Sequence, residues 1–239
     1  MRWVVLLGAL ILSGCATTTS QPTQPTQPGP SRAELAKRAA AKPTAAQIAQ
    51  FRTVVSRVEP VAERYCKQTN PRRNCDFKIV VDQREGLPPN AFQTLDRDGR
   101  PVLGFTQSIL ADVRNADEIA FVLSHEAAHH IRSHIPRAQQ NATAGAILLG
   151  GLASIAGGGG AAIDAAADIG ASVGARSYSK DFELEADATG TVIAKRAGYN
   201  PVRGAQYFNR IPDPGDVFLG THPPNAERIA TVKRTAAGL

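Results

Sequence analysis

The hydrophobic pattern of the chain first predicts a long amphipathic helix over residues 44–66. Apolar residues recur there at about the 3.6-residue helical period. One stripe contains Ile48, Phe51, Val55 and Val58. Side chains on such a stripe share one face of the helix, so we expect this face to be buried.

Short segments with the composition of β-strands follow this helix. Residues 77–81 predict one strand, and residues 91–94 and 102–105 predict a hairpin around Asp96-Arg97-Asp98-Gly99. Such a small sheet could flank a cleft and allow an extended peptide to add to it as a further strand. Together with the helices, these strands indicate an α+β fold that is mainly helical and has a small antiparallel sheet.

A second helix is predicted across the most informative motif of the chain. Asn115 and Glu118 have the spacing of a capping box, and apolar residues then recur at helical spacing up to His125-Glu126-Ala127-Ala128-His129. The two histidines would share a helical face and could bind one metal ion, while the glutamate would polarise a metal-bound water. The alternative is a pair of surface histidines that bind nothing.

A catalytic zinc site usually needs a third protein ligand. Ile135 stands where a metzincin would have its third histidine, so that class is excluded. The acidic segment 183–187 offers a ligand from a further helix. Glu183 would bind the metal and Asp187 would orient a ligand histidine, whereas Glu185 would point elsewhere. The alternative is a solvated acidic helix face.

Several motifs together resemble the zinc metalloendopeptidase family that includes the CAAX prenyl proteases, HtpX and the periplasmic protease BepA. Between residues 45 and 235, the matching segments are Asn90-Ala91-Phe92, His125 to His129 with His134, Ser179 to Asp187, Ala197 to Pro201, Thr221-His222-Pro223 and Arg228-Ile229. The resemblance implies a zincin-like metalloprotease domain, one Zn²⁺ ion bound by His125, His129 and Glu183, and Glu126 as the catalytic base. Lys180 stands where the family often has arginine, which weakens one supporting contact.

His222 is the only histidine outside residues 125–134. In periplasmic relatives the matching loop can approach the zinc, so we hypothesise two roles for His222. It either occupies the water position in a resting form or stabilises the oxyanion during catalysis. The alternative is a surface histidine in a proline-flanked turn. His130 and His134 are offset from the ligand face, and we expect them to pack, to contact substrate or to support a ligand.

The first 14 residues have the basic start, apolar run and small residues of a secretory signal. Leu12-Ser13-Gly14-Cys15 also resembles a bacterial lipobox, which implies cleavage before Cys15 and membrane anchoring through lipid on that residue. Residue 16 is alanine rather than the aspartate that commonly retains lipoproteins at an inner membrane, so we expect the periplasmic face of the outer membrane. The alternative is an ordinary signal peptide with a stray cysteine.

An exported protein can form disulfides, and two cysteines remain after Cys15 is assigned. Cys66 and Cys75 bracket the turn-rich segment 70–73, so we predict that they pair. Two free buried thiols are the alternative. A metal site at this pair is disfavoured because no histidine lies nearby in the sequence.

Residues 15–44 contain a Gln-Pro-Thr repetition and predict a flexible tether, which leaves one metallopeptidase domain over residues 45–239. The net charge of +6 falls by one, to +5, when Arg2 leaves with the signal. This mild basic excess could favour anionic lipid headgroups or acidic substrates. The dispersed charges and few aromatic residues give no nucleic-acid signature, so we expect no nucleic-acid partner.

Residues 138–163 carry no charge and are rich in alanine and glycine. A transmembrane helix is one interpretation, but four successive glycines at 157–160 interrupt it. We favour a mobile helical hairpin over the active site, because small residues permit close packing and glycines permit movement.

Three classes of function fit these patterns. The first is a periplasmic zinc endopeptidase that degrades misfolded or stalled envelope proteins. The second is a mostly latent relative that acts as a chaperone or assembly factor for outer-membrane proteins. The third, a membrane-anchored scaffold with structural zinc, is disfavoured because a structural site has no use for the base Glu126. Nothing in the sequence indicates an oligomeric state.

Overall fold

The computed structural model describes residues 31–177, 179–215 and 222–239. Its helices are α1 (Arg32–Ala39), α2 (Ala45–Thr69), α3 (Gln107–Asp112), α4 (Ala116–Ile131), α5 (His134–Ile155), α6 (Gly160–Ser177), α7 (Ser179–Arg196), α8 (Pro201–Gly204) and α9 (Asn225–Ala237), with a 3₁₀ helix over Ala205–Arg210. Its strands are β1 (Lys78–Asp82), β2 (Ala91–Leu95) and β3 (Pro101–Thr106). The predicted signal at residues 1–14, Cys15 and Thr221 lie outside the described residues.

The three strands form one sheet in the order β1-β3-β2. The strands β2 and β3 form the predicted antiparallel hairpin, in which Ala91 lies opposite Phe105. The strand β1 pairs with β3 in parallel, so the sheet is mixed where an antiparallel sheet was expected. This pairing arises because β2 reverses the chain between β1 and β3, while β3 takes the central position. Among the described residues, no further strand pairs with the outer edge of β2.

Helix α2 confirms the first predicted helix and packs one face into the core. Thr44 precedes the helix and caps its first turn by accepting from the backbone N–H of Gln47. The buried positions of this helix are Phe51, Val54, Val58, Ala62 and Cys66. Two of them belong to the predicted stripe. Ile48, however, is 36% exposed, because the buried stripe runs through Val54 rather than Val55.

The predicted pairing of Cys66 with Cys75 is present as a disulfide, with the two Cα atoms 5.8 Å apart. The bond ties the last turn of α2 to the segment that leads into β1. Closing so short a loop restricts the unfolded chain and stabilises the fold by about 2–3 kcal/mol.

Helix α1 lies within the segment predicted to be a flexible tether, and that prediction is wrong for residues 32–39. Arg38 fastens this helix to the rest of the domain. Its Nη2 atom donates to Oδ2 of Asp112 at 2.6 Å, and its Nη1 atom donates to the backbone carbonyl of Arg210 at 3.1 Å. Both partners are distant in the sequence, so local composition could not reveal that the helix is anchored.

Helix α4 runs through the centre of the domain, packed against α2 and α7 and buried over most of its length. Asn115 caps the helix by accepting from the backbone N–H groups of Asp117 and Glu118. The Glu118 carboxylate does not close the predicted capping box. It accepts instead from the backbone N–H of Arg114 at 2.8 Å and from the Arg210 guanidinium at 2.6 Å. A buried ion pair therefore fixes the start of the helix that carries the metal-binding motif.

Helices α5 and α6 form a helical hairpin, but the uncharged segment 138–163 covers only α5 and the first turn of α6, so the hairpin extends beyond the predicted segment to Ser177. Glycines allow the two helices to approach closely, since a Cβ on Gly170 would lie 2.1 Å from the carbonyl oxygen of Gly145. Several apolar side chains of the hairpin face outward, and Ile155 near its tip is 86% exposed. Within the described residues, no helix has the length and apolar character needed to cross a membrane.

Candidate metal centre and active site

Helices α4 and α7 bring the three predicted metal ligands together. The Nε2 atoms of His125 and His129 lie 2.9 Å apart. Glu183 places Oε2 at 3.4 Å from the first of these nitrogens and Oε1 at 3.4 Å from the second. Tetrahedral zinc with bonds of about 2.0–2.1 Å separates its ligand atoms by about 3.3 Å. The three residues are therefore placed so that they could hold one zinc-sized ion.

A glycine on α7 makes this convergence possible. A Cβ on Gly190 would lie 2.9 Å from the backbone nitrogen of His125, closer than such an atom can sit. The two helix backbones therefore touch beside the first ligand histidine. Their close contact lets the short carboxylate side chain of Glu183 reach the imidazoles of α4.

Glu126 follows the first ligand on α4 and is buried, with 8% of its surface exposed. Burial raises the pKa of its carboxyl group to about 7. Glu126 lines the same cavity as the three ligands. A carboxyl group whose pKa lies near neutrality can both accept a proton and return it, as the predicted role of catalytic base requires.

Asp187 lies four residues after Glu183 on α7 and is fully buried. Its Oδ1 atom is 2.9 Å from Nδ1 of His125, which leaves Nε2 of that ring directed at the ligand cluster. This is the placement that the sequence predicted for Asp187. Burial lowers the pKa of His125, but hydrogen bonds to Asp187 and Glu183 outweigh burial and raise it to about 10. The site therefore has a strong affinity for positive charge.

Arg228, on α9, is a site residue to which the sequence assigned no role. Its guanidinium donates twice to Asp187, at 2.7 Å each, and lies 3.2 Å from Oε2 of Glu183. It also stacks over the ring of Phe208 at 4.0 Å. A signal for it does exist in the sequence, because Asn225, Arg228 and Val232 recur at helical spacing on the buried face of α9. A charge on such a face needs a buried partner.

The two remaining histidines of α4 and α5 have different surroundings. His130 donates through Nε2 to the backbone carbonyl of Asn74 at 2.7 Å and packs edge-on against Phe77, so it is a core residue. His134 instead contacts the second ligand, with Nδ1 at 2.8 Å from Nδ1 of His129. Its other nitrogen lies 3.2 Å from Oε2 of Glu185. Glu185 thus points away from the three candidate ligands, as expected, but it contacts His134, which in turn contacts the second ligand.

His222 lies at the site, although 53% of its side chain is exposed. Its Nδ1 atom is 3.3 Å from Oε2 of Glu183. It belongs to the segment just before α9 and lines the same cavity as the three candidate ligands. The structure thus brings together every histidine and carboxylate that the sequence singled out for the metal centre.

Two cavities open beside the ligand cluster. The larger, of about 760 Å³, is bordered by β2 at residues 90–93, by the first turns of α5 at His134, Ile135 and Ala138, and by His222. The smaller, of about 630 Å³, continues along β2 to Leu95 and reaches the disulfide loop. The cavities share Gln93, His129 and Ile135, so they lie on either side of the second ligand histidine along one edge of the sheet.

Comparison with known proteins agrees with this geometry. No curated protein matches the sequence significantly. The family model described as peptidase family M48 matches residues 49–236, a span that contains all three candidate ligands and Glu126. Given this match over most of the chain, the protein belongs to peptidase family M48, a family of metal-dependent peptidases.

Proposed function

We propose that the protein is a zinc-dependent endopeptidase that hydrolyses misfolded or stalled envelope proteins in the periplasm. The observation that carries this proposal is the convergence of His125, His129 and Glu183 next to the buried carboxyl group of Glu126 in an open cleft. Two histidines and a glutamate form the ligand set of catalytic zinc sites that keep one position for water.

Each residue of the site has a distinct part in hydrolysis. When held by these ligands, zinc supplies Lewis acidity, which lowers the pKa of a water molecule and stabilises negative charge on the scissile carbonyl. Glu126 accepts the proton of the attacking water and returns it to the departing amine. Asp187 contacts His125 at its Nδ1 atom and so leaves Nε2 as the nitrogen that faces the other ligands. The sequence of steps needs no covalent bond between enzyme and substrate.

The cleft supports cleavage within a chain rather than at its ends. A cavity lies on each side of His129 along β2, so a polypeptide can extend in both directions from the scissile bond. The outer edge of β2 offers backbone N–H and C=O groups to which an extended peptide can add as a strand. Backbone pairing requires no particular side chain, which suits unfolded polypeptides as substrates.

Metal removal tests this function. We expect the purified protein to cut an unfolded casein at internal bonds, to lose this activity on treatment with a chelator, and to regain it when zinc is added. Fragment masses establish whether the cuts are internal. Unchanged cleavage in the chelator-treated, zinc-free protein would contradict the proposal.

A second candidate function is a mostly latent, metallopeptidase-like chaperone or assembly factor for outer-membrane proteins. The contact between His222 and Glu183 favours it, because an imidazole 3.3 Å from a candidate ligand carboxylate would hinder the access of water to a bound metal. A protein that binds zinc yet leaves unfolded polypeptides uncut while preventing their aggregation would support this candidate over the first.

The His222→Ala variant is expected to raise peptidase activity several-fold if this histidine occupies the water position at rest. Loss of the side chain would free that position without removing a predicted ligand. The measurement is the cleavage rate of a quenched fluorescent peptide, together with zinc affinity. A fall in activity would instead support a role at the oxyanion, and no change in either quantity would exclude any gating role.

We further propose that lipid on Cys15 anchors the protein to the periplasmic face of the outer membrane. The disulfide between Cys66 and Cys75 supports export, because such bonds persist in oxidising compartments. The Cys15→Ser variant is expected to move from the membrane fraction to the soluble fraction, as measured by fractionation of cells. An equally membrane-bound variant would exclude lipid anchoring.

A further inference from the structure

The two ligand histidines are held in different ways. His125 presents Nδ1 directly to a carboxylate, that of Asp187. His129 presents Nδ1 to another imidazole, with Nδ1 of His134 at 2.8 Å. Two ring nitrogens at this distance need one proton between them, since one must donate and the other must accept. The direction of this hydrogen bond decides which nitrogen of His129 keeps a lone pair.

The carboxylate of Glu185, on the other side of His134, sets the direction of the hydrogen bond between the two imidazoles. An ionised carboxylate only accepts hydrogen bonds, and Oε2 of Glu185 lies 3.2 Å from Nε2 of His134. A neutral His134 therefore carries its proton on Nε2 and leaves Nδ1 as an acceptor. His129 must then donate from its own Nδ1, so its Nε2 lone pair faces the ligand cluster.

The surroundings hold this chain of hydrogen bonds rigidly. His134 is 4% exposed, and its ring stacks on Phe182 with centroids 4.6 Å apart and planes 8° apart. Arg137 donates to Oε2 of Glu185 at 2.6 Å, which keeps that carboxylate ionised and aimed at the imidazole. Arg137 also lies over the Phe182 ring, at 4.3 Å. Arg137 thus contacts both the carboxylate that accepts from His134 and the ring on which His134 stacks.

We propose that His134 and Glu185 are positioning residues that fix the tautomer of His129 and thereby strengthen metal binding. They would serve the second ligand as Asp187 serves the first. In this arrangement α7 contributes three carboxylates at alternate positions: Glu183 to the metal, and Glu185 and Asp187 to the two histidines. The inference rests on the proposed zinc site, but it concerns only how the protein prepares His129.

The test uses the full chain in four forms, the unmodified protein and three variants. His134→Phe keeps an aromatic ring to stack on Phe182 but removes the acceptor. Glu185→Gln keeps the shape of the side chain but can donate to His134 and so permits the opposite direction. His130→Phe is the matched control, because it replaces a neighbouring buried histidine whose side chain hydrogen-bonds to the backbone of Asn74.

Nitrogen chemical shifts of ¹⁵N-histidine-labelled, metal-free protein report the tautomer of His129. We expect a proton on Nδ1 in the unmodified protein and in the His130→Phe control, and a mixture of tautomers in the other two variants. Competition with a chelator should show zinc affinity weakened by about 10–100-fold in both variants and unchanged in the control.

Three results would overturn the inference. They are a proton on Nε2 of His129 in the unmodified protein, unchanged tautomer and affinity in both variants, and an equal loss in the control. Should His134→Phe fail to fold, as judged by circular dichroism, Glu185→Gln alone decides between the same outcomes. An unmodified protein that binds no zinc would contradict the proposed function instead, so the two failures are distinguishable.

Discussion

The Glu126→Gln variant is expected to keep its zinc and to lose peptide hydrolysis by about 10²–10⁴-fold, the contribution typical of a general base. An amide oxygen cannot take a proton from water at neutral pH, whereas His125, His129 and Glu183 are unaltered by the change. Metal content and kcat/KM on an unfolded polypeptide, measured on the same preparation, separate the two effects. Retention of full activity would remove Glu126 from the mechanism.

The matched control is Glu183→Gln on the facing helix. It makes the same chemical change at a residue that the geometry assigns as a metal ligand rather than as the base that accepts a proton. We expect weakened zinc affinity in this variant and recovery of part of its activity at high zinc concentration. Equal zinc content and equal activity in the two variants would contradict the division of roles.

Folding of the Glu126→Gln protein can be checked independently. Because burial raises the pKa of this carboxyl group to about 7, its ionised form is disfavoured inside the protein. A neutral amide of the same shape avoids that cost, so the metal-free variant should be at least as stable as the parent protein at pH 8. Lost activity with an unchanged or raised melting temperature then reflects chemistry rather than misfolding.

The parts of the site that the sequence predicted are those set by spacing on one helix. His125 and His129 stand four residues apart on α4, and Glu183 and Asp187 stand four apart on α7, so each pair must share a helical face. Spacing alone could not show that these faces of α4 and α7 pack against each other. The resemblance to a family supplied that information. The family match over residues 49–236 supports that reasoning.

The parts that the sequence did not predict depend on contacts between elements. Glu185 points away from the ligand face, as expected, but its contact with His134 at the start of α5 was not predicted. Arg228 comes from α9, and the carboxylates with which it pairs are at least 41 residues away in the chain. Helical spacing shows on which face of its helix a residue lies. It does not show which other helix packs against that face.

The fold shows the same limit. The hairpin of β2 and β3 was predicted because its turn and its alternating residues are local. The parallel pairing of β1 with β3 and the docking of α1 through Arg38 were not, because each depends on a partner across a long stretch of chain. Helix α1 has only eight residues and follows a proline-rich segment, so the composition of residues 15–44 predicted a flexible tether.

Replacement of Arg228 by methionine is expected to destabilise the metal-free protein by about 3–5 kcal/mol, the cost typical of breaking a buried ion pair. Asp187 is fully buried and would lose its bidentate partner, beside the further negative charge of Glu183. Urea unfolding followed by circular dichroism measures the change. The control is Arg84→Ala, since Arg84 pairs with Asp82 while 74% of its side chain is exposed, and it should change stability little.

A double variant, Arg228→Met with Asp187→Leu, separates charge from packing at this position. Removing both charges should recover much of the stability lost in Arg228→Met, because the cost arises from an unpaired buried carboxylate rather than from a missing contact. Zinc affinity of the double variant should be weaker than that of the parent protein, because His125 then lacks the partner on its Nδ1 atom. If the single variant were as stable as the parent protein, Arg228 would not be neutralising the acidic cluster. If the double variant bound zinc normally, Asp187 would not be orienting its histidine.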